Sequence, residues 1–221
     1  MSLTIDMRLK KRFPEIKVPV CEIRGVMVEK LNTMLEKFKE ELMEQVRERY
    51  DLESLKDEPI LRAYRDFFWR VGIDPTKNRP AAEALIRRIL QGKNMPSINT
   101  LVDSYNLASI KTEIALAAFD AEKLKGDLLM RFATEGEEFF GIGMEKPMRL
   151  QGIEIVVSDV EKLVAVYPHR DADGTKVTEE TKNVLLLVCG VPGIREEALL
   201  DATCVAIEYV TKFCGGEARM V

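Results

Sequence analysis

One stretch of this sequence carries Asn99, Asp103, Asn106, Ser109, Lys111 and Glu113 among its apolar residues. Leu101, Leu107 and Ile114 alternate with them and no proline intervenes, so the spacing predicts a helix from Asn99 to about Glu113. On that helix positions 99, 103, 106 and 113 fall near one stripe. Amides and aspartate are mediocre helix formers because their side chains compete for backbone hydrogen bonds. Using several in one helix has two readings, caps and bonds to neighbouring loops, or the wall of a pocket.

Other chemistry is sparse. The lone histidine, His169, opens the run HRDADGTKVTEE. As a calcium loop this run would begin on histidine where aspartate belongs, after a strand rather than a helix, and a polar hairpin loop accounts equally well for its Asp-Gly. Cys21, Cys189, Cys204 and Cys214 have no CxxC spacing. No metal site is therefore expected, and the cysteines read as small buried hydrophobes, Cys204 among them because it lies three residues from Ile207 on a helix. Gly190–Ile194, GVPGI, joins a strand to a helix but lacks both the GxGxxG pattern and a following Lys-Ser/Thr, so it reads as a tight turn rather than a phosphate loop. Nothing around His169 has a serine- or cysteine-nucleophile setting.

The elements that must position these groups follow from periodicity. Two extended pieces, Leu3–Arg8 and Ile16–Ile23, are separated by Phe13-Pro14. Val28, Leu31, Leu35, Phe38, Leu42 and Val46 mark an amphipathic helix whose Glu36, Lys37, Lys39, Glu40, Glu41 and Glu44 form a solvated face. A second helix opens at Pro59 and stops at Gly72, and a third runs from Pro80 to Gln91 with Glu83, Arg87 and Arg88 outward. From Asp127 the period becomes two, with strands around Leu128–Phe132, Ile153–Val157 and Leu163–Val166. Val184–Cys189 is apolar throughout, as a strand buried on both faces would be. A last helix from Glu196 turns Leu199, Ala202, Ala206, Tyr209 and Phe213 inward and ends at Gly215-Gly216. Helices, then strands, then a closing helix favour α+β over doubly wound α/β.

The 221 residues are 46% hydrophobic and 32% charged, an ordinary globular composition. No apolar run approaches the roughly 20 residues that span a bilayer, and the start has no basic-then-apolar leader, so a cytoplasmic protein is expected. The net charge of −4 argues against gripping long nucleic acid, whose affinity comes from phosphate neutralisation. Any RNA contact is confined to a local patch or a small pocket for one end of the molecule.

The run SINTLVDSYNLASIKTEIALAAFD at Ser97–Asp120, then LKGDLLMRFATEGEEFFGIG and TEETKNVLLLV, resembles the B3/B4 editing domain of the phenylalanyl-tRNA synthetase beta subunit. The likeness covers roughly residues 60–190. With the preceding EALIRRILQGK it is similar to solo B3/B4 proteins that lack the rest of the synthetase. It implies a B3/B4-like α+β fold of mixed sheets packed with helices. One domain spans 1–221: an N-terminal extension of strands and helix over 1–58, a core over 60–190 and a closing helix over 195–214. In that family the domain hydrolyses tyrosine wrongly attached to the phenylalanine tRNA. The resemblance implies a tRNA or aminoacyl-tRNA 3′ end as partner, no cofactor and no aminoacylation.

Carried over by position, the motif asparagine is Asn106, with Asp103 three residues before it. Two positions depart from the family: its histidine is Ala117 here, and its glutamate is Leu187. A pocket that loses hydrogen-bonding groups loses the selectivity they gave. Lys111, Glu113, His169, Arg170 and Asp171 are the polar groups that would substitute near the inferred pocket. The catalytic residues stay unassigned, and a non-catalytic module for a small amino-acid-like ligand is the alternative.

Overall fold

The computed structural model describes residues 1–221. In chain order the elements are β1 (Leu3–Ile5), α1 (Met7–Arg12), β2 (Val20–Arg24), α2 (Thr33–Arg49), α3 (Pro59–Arg70), α4 (Ala81–Leu90), α5 (Thr100–Thr112), β3 (Leu116–Asp120), β4 (Leu128–Phe132), β5 (Glu138–Phe139), β6 (Met148–Arg149), β7 (Ile155–Ser158), β8 (Leu163–Val166), β9 (Arg170–Asp171), β10 (Asn183–Val188), α6 (Glu196–Cys214) and β11 (Glu217–Met220). The architecture is α+β, as expected. One sheet has the order β1-β4-β7-β8-β9, a second β11-β2-β10-β3, and β5-β6 form a short hairpin.

Strand β10 organises the molecule. It pairs antiparallel with β2 on one side and β3 on the other. Its alternate side chains enter different cores: Val184, Leu186 and Val188 meet the helices, whereas Leu185, Leu187 and Cys189 meet the other sheet. Strand β3 divides in the same way, with Leu116 and Ala118 toward the helices and Ala117 and Phe119 toward the sheet. A period of two with both faces covered makes each face apolar, which is why the run 184–189 carries no polar residue.

Several local expectations give way to tertiary pairing. Leu3–Arg8 is not one strand: after β1, Asp6 caps α1 by accepting from the N–H groups of Arg8 (2.9 Å) and Leu9. Helix α2 starts at Thr33 rather than near Val28, because Asn32 caps it through the N–H groups of Met34 and Leu35. Pro80 is the N-cap of α4, one residue before the helix. Ile153 is exposed and precedes β7. Strands β3 and β11 have no counterpart in the periodicity. The first is short and alanine-rich; the second is exposed at every residue and is held by pairing with β2. Gly190 is required where the chain leaves β10, since an added Cβ would collide with the Lys17 carbonyl oxygen.

Two charges assigned to solvent are buried. Lys39 leaves the solvated face of α2 and donates to Asp103 Oδ2 (2.5 Å), Glu36 Oε1 (2.6 Å) and Ser97 Oγ (3.3 Å). Glu83 is fully buried and takes the Arg65 guanidinium on both oxygens (3.0 and 3.1 Å) and Arg87 Nε (3.0 Å). Cys204 breaks the other way: it is exposed on α6, while Cys21, Cys189 and Cys214 are buried.

The Lys39–Asp103 pair ties α2 to the start of α5, and removing one partner strands the other charge. Lys39→Met should lower unfolding free energy by about 3–5 kcal/mol in urea titrations. The double variant Lys39→Met/Asp103→Leu should recover about half of that loss, because Ile98 N–H still loses its acceptor on Asp103.

Candidate functional site

Two sheets packed face to face stand about 10 Å apart and need side chains that fill the gap. Here the facing positions include Ala115, Ala117 and Ala165, whose side chains are too short to meet across it. The shortfall is a cavity of about 170 Å³. Its apolar wall is drawn from β3, β7, β8 and β10, with Ala117 paired directly against Leu187 in the sheet register. Its polar side is formed by Tyr105 and Asn106 of α5 and by the segment Tyr167–Asp171.

That segment is held firmly. Tyr167 donates its hydroxyl to the Gly190 carbonyl (2.7 Å) and precedes Pro168 through a cis peptide bond. His169 N–H bonds the Val166 carbonyl (2.8 Å), and Phe68 meets the imidazole edge-on at 6.1 Å between ring centres. Strand β9 then pairs Arg170 with Val166 and Asp171 with Ala165. Ile142 clasps it from outside: its N–H donates to the Asp171 carbonyl (2.9 Å), and its own carbonyl accepts from Arg170 (3.3 Å). On the floor, the Tyr64 hydroxyl accepts Ala115 N–H (3.0 Å) and donates to the Cys189 carbonyl.

Burial decides the charges. The Asp171 carboxyl takes no hydrogen bond or ion pair from the chain, and desolvation pushes it up to about 7, although the residue keeps partial exposure. Burial also raises the Tyr105 phenol, and the nearby Asp171 and Asp103 carboxylates raise it further. His169 is pushed down by burial and by the Arg170 charge, so it is a neutral imidazole at neutral pH. The Cys189 thiol is raised by burial, then by Asp171, and stays protonated. The cavity therefore offers one titrating carboxyl, a neutral imidazole, a phenol and an amide within an apolar shell.

Of the residues singled out in the sequence, Asn106, His169, Arg170 and Asp171 come together here. The others do not. Asn99 caps α5 by accepting Val102 N–H (2.9 Å), Asp103 holds Lys39, and the Ser109 hydroxyl donates to the Ile114 carbonyl (2.7 Å). Glu113 ends α5 in a left-handed conformation and accepts from the Tyr50 hydroxyl (2.6 Å) and Arg49 (2.9 Å). Lys111 is exposed over a separate shallow depression beside Tyr50. The single polar stripe thus splits, with Asp103 facing α2, Asn106 facing the cavity and Glu113 turning off the helix. Tyr105 was not among the sequence candidates; its adjacency to Asn106 was the available signal. No three His, Cys, Asp or Glu side chains converge as a metal would need, and HRDADGTKVTEE becomes β9 followed by a 3-10 turn at Asp173–Thr175.

The raised Asp171 carboxyl sets a pH dependence of stability. The folded chain holds this proton up to about pH 7, whereas a free aspartate loses it near about 3.9, so the stabilisation is complete below about pH 4 and is lost as pH rises through 7. The partial exposure of Asp171 keeps the effect on the order of 1–2 kcal/mol rather than the ~4 of a wholly desolvated group. Urea unfolding at pH 4.5 and pH 8 should show that fall in the native chain and not in Asp171→Asn.

Comparison with known proteins bears on the family and the fold. Residues 63–215 match the family model described as B3/4 domain. The phenylalanine–tRNA ligase beta subunit of Fusobacterium nucleatum is 29% identical over 175 residues, covering 79% of this chain and 19% of that protein. The beta subunit of Bartonella quintana is 32% identical over 109 residues, covering 49% of this chain and 12% of that protein. The chain thus spans about a fifth or less of the length of these relatives. A crystal structure of an N-terminal fragment of the phenylalanyl-tRNA synthetase beta subunit from Pyrococcus horikoshii shares the fold, with a TM-score of 0.54 at 17% identity over 99% of this chain and 50% of that one. With the family model matched over more than half its length, the chain belongs to the B3/4 domain family.

Proposed function

We propose that the cavity receives an amino-acid side chain still esterified to the 3′ end of a tRNA, and that the protein hydrolyses that ester in trans. The observation that carries this reading is the convergence of Asn106, His169 and Asp171 on one open cavity sized for a side chain. Hydrolysis needs a base near the working pH, and a carboxyl at about 7 is half ionised there. Asp171 takes a proton from water as its oxygen bonds the ester carbonyl carbon. The carbon–oxygen bond to ribose then breaks, and the ribose oxygen receives the proton. The Tyr105 hydroxyl and the Asn106 amide are the donors for the carbonyl oxygen or the substrate's polar groups, and neutral His169 is a second proton acceptor.

The opposite wall limits what is selected. Ala117 and Leu187 carry no hydrogen-bonding side-chain group, so a side-chain hydroxyl would lie there unpaired. The substrate preferred on this reading has an apolar side chain, and tyrosine is disfavoured. These same two residues favour a second reading, a non-catalytic module that binds a small amino-acid-like ligand. Thermal-shift titration with free amino acids and their esters, beside deacylation assays, separates the two.

A panel of tRNAs mischarged with apolar and hydroxylated amino acids should lose the apolar ones fastest. Asp171→Asn should lower kcat by about 10²–10⁴-fold with KM little changed. Release of no amino acid from any member of the panel would leave only the binding reading standing.

A further inference from the structure

The chain is acidic overall, yet the only charged residues lining one groove are cations. Lys77, Arg79, Arg87, Arg88 and Lys93 surround a surface groove of about 410 Å³ along α4 and its flanking loops, with no carboxylate in its lining. The one acid of this helix, Glu83, is buried and already neutralised by Arg65 and Arg87. Arg79 and Lys93 are exposed and form no ion pair, Arg88 spends its Nε on the Asn94 carbonyl, and Lys77 reaches Asp74 only at 4.0 Å. Concentrating the four remaining like charges on an exposed surface is unfavourable in the isolated chain unless counterions or a polyanion neutralise them.

The groove also has a direction. Ala81, the first residue of α4, lines the cavity between the sheets, while Arg88 lies in the last turn of the same helix and Lys93 in the loop just beyond it. Ten residues of helix extend about 15 Å, the rise of about four phosphates along one nucleic-acid strand. A polymer of repeated negative charge with a distinct terminal group matches this arrangement: backbone along the cations, end at the cavity. A membrane surface fits poorly, because only Ala84, Leu85 and the stem of Gln91 accompany the cations and no large apolar side chain is exposed there to insert.

We infer that the α4 groove, through Arg79, Arg88, Lys93 and Lys77, is the docking site for the phosphodiester backbone of an RNA whose 3′ end enters the cavity. This rests on the RNA-end reading of the cavity and names the surface that aligns it. The phosphates are held as point charges, so recognition is independent of base sequence and is weakened by salt.

The test uses the full chain and an uncharged RNA hairpin with a single-stranded 3′ tail, followed by fluorescence anisotropy between 50 and 200 mM salt. Arg79→Glu/Lys93→Glu should weaken binding at least tenfold at 50 mM and flatten the slope of log K against log salt by about 1.5, two contacts' worth. Lys10→Glu/Lys11→Glu, an equal charge change on α1, should stay within about twofold of the native chain. Circular dichroism checks that both variants fold. Native-like binding by the α4 variant overturns the inference, as does tighter binding of the native chain to polyglutamate or to phosphatidylglycerol vesicles than to the hairpin. The hydrolysis reading is judged separately: deacylation that persists while the α4 variant binds RNA normally rejects this groove and leaves the cavity chemistry in place.

Discussion

Strand β10 is covered on both faces, and most of the molecule follows from that constraint. Its polar backbone is satisfied by β2 and β3, so the strand can be wholly apolar, and its side chains divide between two cores. One core is filled by α2, α4, α5 and α6, whose larger side chains close it. The other lies between sheets, where α3 supplies Tyr64, Phe67 and Phe68 while alanines at the facing strand positions leave space above the Tyr64 hydroxyl. The cavity is therefore a consequence of side-chain size at particular strand positions, not of a loop that happens to stand open.

The polar helix α5 packs into the helical core and borders the cavity at once. Its caps and its bonds to α2 anchor it: Asn99, Asp103 and Glu113 each satisfy a group that burial would otherwise leave unpaired. That anchoring fixes the helix against rotation and presents Tyr105 and Asn106 to the cavity. Structural and chemical roles alternate along one helix because a 3.6-residue period gives neighbouring positions different partners. The same economy is visible at α4, where buried Glu83 holds Arg65 and Arg87 while the next residue, Arg88, joins the exposed cations.

Electrostatics within the cavity depend on omission. Where relatives of this family are expected to carry histidine and glutamate, this chain has Ala117 and Leu187, and the polar functions lie on the opposite side, at Asn106 and the β8–β9 connection. Asp171 has no partner to stabilise its charge, so burial governs it. An apolar wall thus faces a titratable one across the cavity.

The sequence by itself determined the elements whose signals are local. Helix α3 and strand β10 stood out because their hydrophobic periods and their proline and glycine boundaries are written in consecutive residues, and the B3/B4-like fold followed from Ser97–Asp120 read with the two later segments. It also marked Asn106, through its place in the family motif, and His169–Asp171, as polar groups near the pocket that the resemblance implies. Only the tertiary structure decided which of the polar residues meet. Asp103 and Asn106 fall on one stripe of the same helix, three residues apart, yet one faces Lys39 and the other the cavity. Lys39 and Glu83 sit in charge runs that read as solvated, and distant partners bury them. Strands β3 and β11 exist because β10 and β2 offer unpaired backbone edges, and a pairing between segments far apart in the chain leaves no periodic trace in either one.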